Sequence, residues 1–211
     1  PLVQRYDLRH GASINRLDDL IAPDEGQNTL YVWLEDGAGV KDHTRRSSGT
    51  ARYDATAPAT THSFVPVLPA SGWFTGTVSL QLSPSDAHSG VATTYHRPLG
   101  DLLWKTGTAI SVTEFVTYTW KSVDNAGNEE TPREALVPID TVPPTTTLTL
   151  DPPVPASGWY TGTVAVELEA VDDRSGWADD SQYSLDNGAW VLGTSFDLSA
   201  NGKHSLRYYS R

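Results

Sequence analysis

Cysteine and methionine are both absent from the 211 residues. The first absence removes disulfides, thiolate metal sites and thiol nucleophiles together. The second extends to position 1 and predicts a processed product or a window on a longer chain. Apolar runs are short: none approaches the roughly 20 residues that span a bilayer, and no charged start followed by an apolar stretch marks a signal peptide. Direct membrane insertion is therefore not expected. Basic clusters are scarce as well, the densest being Arg45 with Arg46, and a net charge of -11 opposes binding to nucleic acid or anionic lipid. Helical periodicity is missing throughout.

Catalytic signatures are missing too. There is no nucleophile elbow, no phosphate-cradling glycine loop and no zinc-protease helix motif. The six histidines, His10, His43, His62, His88, His96 and His204, stand singly, with no pair at zinc-ligand spacing. No catalytic residue and no resident cofactor are expected, and the chain is read as not an enzyme.

What the chain has is punctuation and repetition. Its 17 glycines and 14 prolines favour many short strands, and 38% hydrophobic residues suffice for compact cores. "PASGWFTGTV" at Pro69–Val78 returns as "PASGWYTGTV" at Pro155–Val164. The same spacing of 86 relates Gly72 to Gly158, Trp73 to Trp159, Asp86 to Asp172, Gly90 to Gly176 and Trp104 to Trp190. "DATAPATT" from Asp54 matches "DTVPPTTT" from Asp140. "YDLRHG" at Tyr6–Gly11 matches "YSLDNG" at Tyr183–Gly188, and "EDGAG" at Glu35–Gly39 matches "VDNAG" at Val123–Gly127. This is an internal duplication. It divides the chain into the C-terminal part of a first module over 1–53, a complete module over 54–139, and a third over 140–211 that lacks its last strand.

Within a module the hydrophobic period is two. Val164, Val166, Leu168 and Ala170 share one face and Thr163, Ala165, Glu167 and Glu169 the other; Val78, Leu80 and Leu82 repeat the pattern. A later strand alternates through Leu30, Val32 and Leu34, then Val116, Tyr118 and Trp120, then Leu206 and Tyr208. Roughly seven short strands per module predict an all-β fold of tandem immunoglobulin-like antiparallel β-sandwiches joined by stiff Pro/Thr-rich linkers. The ordered set "DTVPPTTT", "GWYTGT", "DDRSG", "YSLDNG" and "VDNAGN" resembles the bacterial Ig-like repeats of large secreted and cell-surface proteins, akin to fibronectin type III sandwiches. The resemblance implies an extracellular or cell-surface location and a non-catalytic role, without implying a ligand.

Three groups of residues invite a site. The Gly-Trp-aromatic turns either plug the end of a core or offer stacking platforms for sugar rings through Trp73 with Phe74, and Trp159 with Tyr160. Trp177 departs from the repeat, since Val91 holds its place in the second module, and it adjoins the insertion around Asp179 and Asp180; it is either a module contact or a carbohydrate-binding residue. Asp140, Asp172, Asp173, Asp179 and Asp180 gather hard oxygen ligands suited to calcium, although aspartate is also a default turn residue. The turn "VDNAGNEE" reads as hairpin chemistry.

The expected function is that of a structural or adhesive stalk segment of an exported bacterial surface protein, with neighbouring Ig-like modules of the same or adjacent chains as partners. Two alternatives stay open. One is an accessory carbohydrate-binding module of a secreted hydrolase, with cell-surface polysaccharide as partner; the other is a subunit of an extracellular assembly completed by strand exchange.

Overall fold

The computed structural model describes residues 24–33, 38–40, 42–176 and 180–211. Among the described residues it is all-β apart from one 3-10 turn at His43–Arg45. No helix among the described residues is long and apolar enough to cross a membrane. β1 (Gly26–Val32) pairs antiparallel with β2 (Ser47–Tyr53). The second repeat contributes β3 (Ala59–Val65), β4 (Val78–Ser85), β5 (Val91–Pro98), β6 (Lys105–Thr106), β7 (Ala109–Val112), β8 (Val116–Asp124) and β9 (Arg133–Val137). These form one sheet in the order β3-β4-β7 and another in the order β6-β5-β8-β9. The third repeat contributes β10 (Thr145–Asp151), β11 (Val164–Val171), β12 (Gln182–Leu185), β13 (Val191–Leu192), β14 (Ser195–Leu198) and β15 (Leu206–Tyr209), in sheets β10-β11-β14 and β13-β12-β15. Several antiparallel sheets, those carrying β4, β8 and β11 with a buried face, are the ingredients of a β-sandwich.

The alternating pattern decides which face is buried. On β11, Val164, Val166, Leu168 and Ala170 are buried and the intervening residues exposed. Val78, Leu80 and Leu82 are buried on β4. Each such Val or Leu stabilises the fold by roughly 1.5–3 kcal/mol. On β8, Trp120 is buried while Val116 and Tyr118 are half-buried. Leu30 is half-buried; Leu34 and the side chain of Val32 lie outside what is described.

The threonine-rich half of each expected linker is strand. β3 starts at Ala59 and β10 at Thr145, so only Asp54–Pro58 lies between β2 and β3, and Pro138–Pro144 between β9 and β10. Threonine is β-branched and pairs well on a pleated surface, whereas the preceding proline cannot donate to a ladder. These threonines also reach inward. In the second repeat Thr60 Oγ1 and Thr94 Oγ1 both meet Ser122 Oγ, at 2.7 and 2.9 Å, linking β3 to β8 and β5. The third repeat repeats the chain with Thr146, Ser181 and Ser210, at 2.9 and 2.7 Å.

The described residues pack as two compact units. One runs up to Val67 and takes in Ser79–Val112 and Val116–Val137; the other holds Leu68–Val78, Thr113–Phe115 and Pro138–Arg211. The division does not follow the repeat spacing, because two loops of the second repeat group with the third.

Candidate functional site

The duplicated decapeptide makes the same turn twice. Gly72 adopts φ +81° and Gly158 φ +75°, a left-handed conformation that an L side chain resists. Their N–H groups donate to Pro69 O at 2.9 Å and Pro155 O at 2.8 Å. Past the turn the copies diverge. Phe74 is 2% exposed, donates its N–H to Pro138 O and accepts from Asp140 N. Trp73 stacks on Phe115, with ring centroids 5.8 Å apart and an interplanar angle of 24°. Trp159 is 59% exposed, and Tyr160 is half-buried with its hydroxyl buried and unpaired. Of the two indoles, that of Trp159 is the more exposed, and no ring stacks on it among the described residues.

The aspartates collect into two sets. In the second repeat, Asp54, Asp86 and Asp124 each bring a carboxylate oxygen within 4.8 Å of the others; in the third, Asp140, Asp172 and Asp173 do so. Both sets are built from turns. Asp54 Oδ2 accepts from Ser89 N at 2.9 Å and its Oδ1 from Thr56 N at 3.1 Å. Asp140 copies this, with Ser175 N at 2.9 Å and Val142 N at 3.0 Å. Asp86 Oδ1 accepts from His88 N and Gly90 N, and Asp172 Oδ1 from Arg174 N and Gly176 N. Asp124 Oδ1 takes the N–H groups of Ala126, Gly127 and Asn128, and its Oδ2 the Asn128 side chain. The aspartate opening each linker is thus tied to the Asp-x-x-Ser-Gly turn that follows it.

These donors set the electrostatics. The Ser89 side chain, then the N–H groups of Ser89 and Thr56, hold the Asp54 carboxyl below its ordinary value against burial and the charge of Asp124. The Ser175 side chain, the N–H groups of Val142 and Ser175, and the charge of Arg174 lower Asp140. Burial pushes Asp124 up, but the Asn128 side chain and the N–H groups of residues 126–128 outweigh it and leave it lowered. A carboxyl lowered on folding contributes stability above its ordinary value, near pH 4, and loses it as the pH falls through the folded value. Acid therefore lowers the stability of the chain as the pH falls below about 4. Asp54→Asn and Asp140→Asn each make the stability of the chain less steep there, as urea titrations at successive pH values check; an unaltered slope contradicts the tie.

Both sets have the donor type of a hard-cation site, carboxylate oxygen only. In bonding they are turn locks, since N–H groups already take the oxygens described above. The buried Asp172 Oδ2 is the one carboxylate oxygen of the two sets that is both buried and without a hydrogen bond among the described residues. Of the five aspartates expected around calcium, the structure gathers Asp140, Asp172 and Asp173. Asp180 is not in the set, and its Oδ1 accepts from Gln182 Nε2 at 3.0 Å. Asp179 and Trp177 lie outside the described residues. Sequence reasoning missed Asp54 and Asp124 as members of a set, although Asp54 stands one repeat spacing before Asp140.

One histidine pairs with a carboxylate at close range. His204 Nδ1 lies 2.7 Å from Asp186 Oδ2 and its Nε2 lies 3.1 Å from Ala200 O. The ring faces an acceptor at each nitrogen, which favours the imidazolium over the neutral form, and its pKa is raised, first by the Asp186 side chain and then by Ala200 O. The second nitrogen meets a backbone carbonyl rather than a hydroxyl, so this pair activates no nucleophile. It fastens the Asp186–Gly188 turn, where Asp186 and Asn187 both take positive φ. A histidine raised on folding contributes stability below its unfolded pKa, near 6.5, and loses it as the pH rises through the folded value. The third repeat is therefore less stable at pH 9 than at pH 6, and His204→Ala abolishes that difference in thermal unfolding; a difference that survives the substitution contradicts the pairing. No family model matches the chain, and no curated protein matches it.

Proposed function

We propose that the chain is a segment of a non-catalytic stalk, built from tandem immunoglobulin-like sandwiches, in an exported bacterial surface protein. The observation that carries this reading is the recurrence of one lock at two successive junctions, Asp54 with Ser89 and Asp140 with Ser175, each at 2.9 Å. A chain that commits its linker carboxylates to fixing the start of each repeat is adapted to hold spacing. Negative charge keeps such an array soluble and apart from its neighbours. The surface location follows from the resemblance to bacterial Ig-like repeats.

The accessory carbohydrate-binding reading has one observation in its favour, the bare indole of Trp159. Titration with cello- and chito-oligosaccharides under tryptophan fluorescence separates the two readings. A stalk gives no saturable change. A saturable change that Trp159→Ala removes overturns the stalk in favour of a glycan-binding module.

A further inference from the structure

We propose that the exposed face of Trp159 is a docking surface for a further repeat of the same class, which covers it with an Asp-x-Arg-Ser-Gly turn. The proposal rests on the stalk reading. One spacing earlier the same ring is covered. Trp73 stacks on Phe115, and Phe115 carries the Arg174 guanidinium 5.3 Å from its centroid. Arg174 is the third residue of the turn Asp172–Gly176, whose Ser175 N–H is tied to Asp140. Asp140 in turn donates its own N–H to Phe74 O at 2.8 Å. The linker aspartate is thus bonded both to the Gly-Trp-aromatic turn behind it and to the Asp-x-x-Ser-Gly turn ahead.

The preceding junction follows the same rule. His88 occupies the turn position of Arg174, and its Nε2 pairs with Glu25 Oε2 at 3.4 Å. It also lies against Gly26, where a Cβ would stand 3.4 Å from its Nδ1. Glu25 Oε1 meanwhile accepts from Ala55 N at 3.0 Å, just past the linker aspartate. In two successive turns, then, the third residue is cationic or protonatable and reaches back onto the loop in front of its own linker.

Trp159 keeps the backbone of Trp73. Its N–H meets Ser157 Oγ at 3.3 Å, as that of Trp73 meets Ser71 Oγ at 3.4 Å. What differs is the cover. Ser199–Lys203, the counterpart of the Phe115 loop, contains no aromatic residue, and no ring or cation stacks on Trp159 among the described residues. The face left open fits a planar cation such as the guanidinium of an incoming turn, which an indole binds more strongly than any other ring.

The test extends the full chain. Arg211 corresponds to Val123, so a second copy of residues 124–211 placed directly after Arg211 continues the third repeat in register and adds a fourth. The added copy carries Trp159→Phe, so that hydroxyl-radical footprinting reads the original Trp159 alone. Docking lowers the oxidation rate of Trp159 to that of Trp73 in the same digest, and Arg174→Ala in the added copy restores it. A rate equal to that in the 211-residue chain, with Trp73 still protected as the sign of a folded second repeat, overturns the proposal while leaving the stalk reading intact. Protection that survives Arg174→Ala overturns the turn as occupant. Protection of Trp159 in the unextended chain by cello- or chito-oligosaccharides overturns both readings. In the unextended chain, Phe115→Ala raises the rate of Trp73 toward that of Trp159; an unchanged rate removes the stack as the cover and the proposal with it.

Discussion

Trp120→Ala lowers the unfolding free energy of the second repeat by about 3–5 kcal/mol, the cost of emptying a large aromatic site in a core. Trp120 is 1% exposed on β8, the largest of the fully buried side chains, with the His62 ring 5.0 Å away. Its burial is what the sheet interior is filled with. Its indole nitrogen is buried without a hydrogen-bond partner, so Trp120→Phe gives up volume but no hydrogen bond. Phenylalanine therefore costs distinctly less than alanine, about 1–2 kcal/mol. Urea unfolding followed by far-ultraviolet circular dichroism checks both. Equal losses for the two variants, or a loss under 1 kcal/mol for alanine, contradict Trp120 as the centre of this core.

Glu130→Ala is the second large effect, about 2–4 kcal/mol. β3 is the outer strand of its sheet, and the N–H of Thr60, whose side chain is wholly buried, donates to Glu130 Oε1 at 2.8 Å. The same oxygen pairs with Arg133 Nε at 2.8 Å. An edge strand presents unpaired backbone groups, and here a carboxylate from the Asp124 turn closes one of them. Alanine leaves that donor buried and without an acceptor. Glu130→Gln retains a carbonyl oxygen for Thr60, and its partner Arg133 is half exposed, so glutamine costs less than half as much as alanine. Thermal unfolding of the two variants decides it: equal losses show that the charge, rather than the acceptor, holds the edge.

The local half of this structure is legible in the sequence. The alternation of Val164, Val166, Leu168 and Ala170 marks the buried face of β11 because the side-chain period of a strand is fixed. The glycine turns are legible because few residues tolerate positive φ. The non-local half is hidden. Asp54 and Asp124 lie 70 residues apart, and nothing near either one announces that their carboxylates meet over the turn at Asp86. The difference between Trp73 and Trp159, whose surrounding decapeptides differ only at Phe74 and Tyr160, depends on Phe115, some 40 residues further on. The linkers are shorter than the run of Pro and Thr suggests because strand pairing claims the threonines. The tie from each linker aspartate to its turn is visible in retrospect as a constant spacing, Asp54 to Ser89 and Asp140 to Ser175, both 35 residues.

The most direct measurement is mechanical. Single chains held by their two ends and pulled apart show, for a load-bearing stalk, a discrete unfolding event of the complete second repeat that releases about 300 Å of contour length, the extended span of one repeat. Asp140→Ala lowers the force of that event by loosening the junction. Smooth extension at low force with no discrete event contradicts a stalk, and an event whose force ignores Asp140→Ala removes the junction lock from its mechanism.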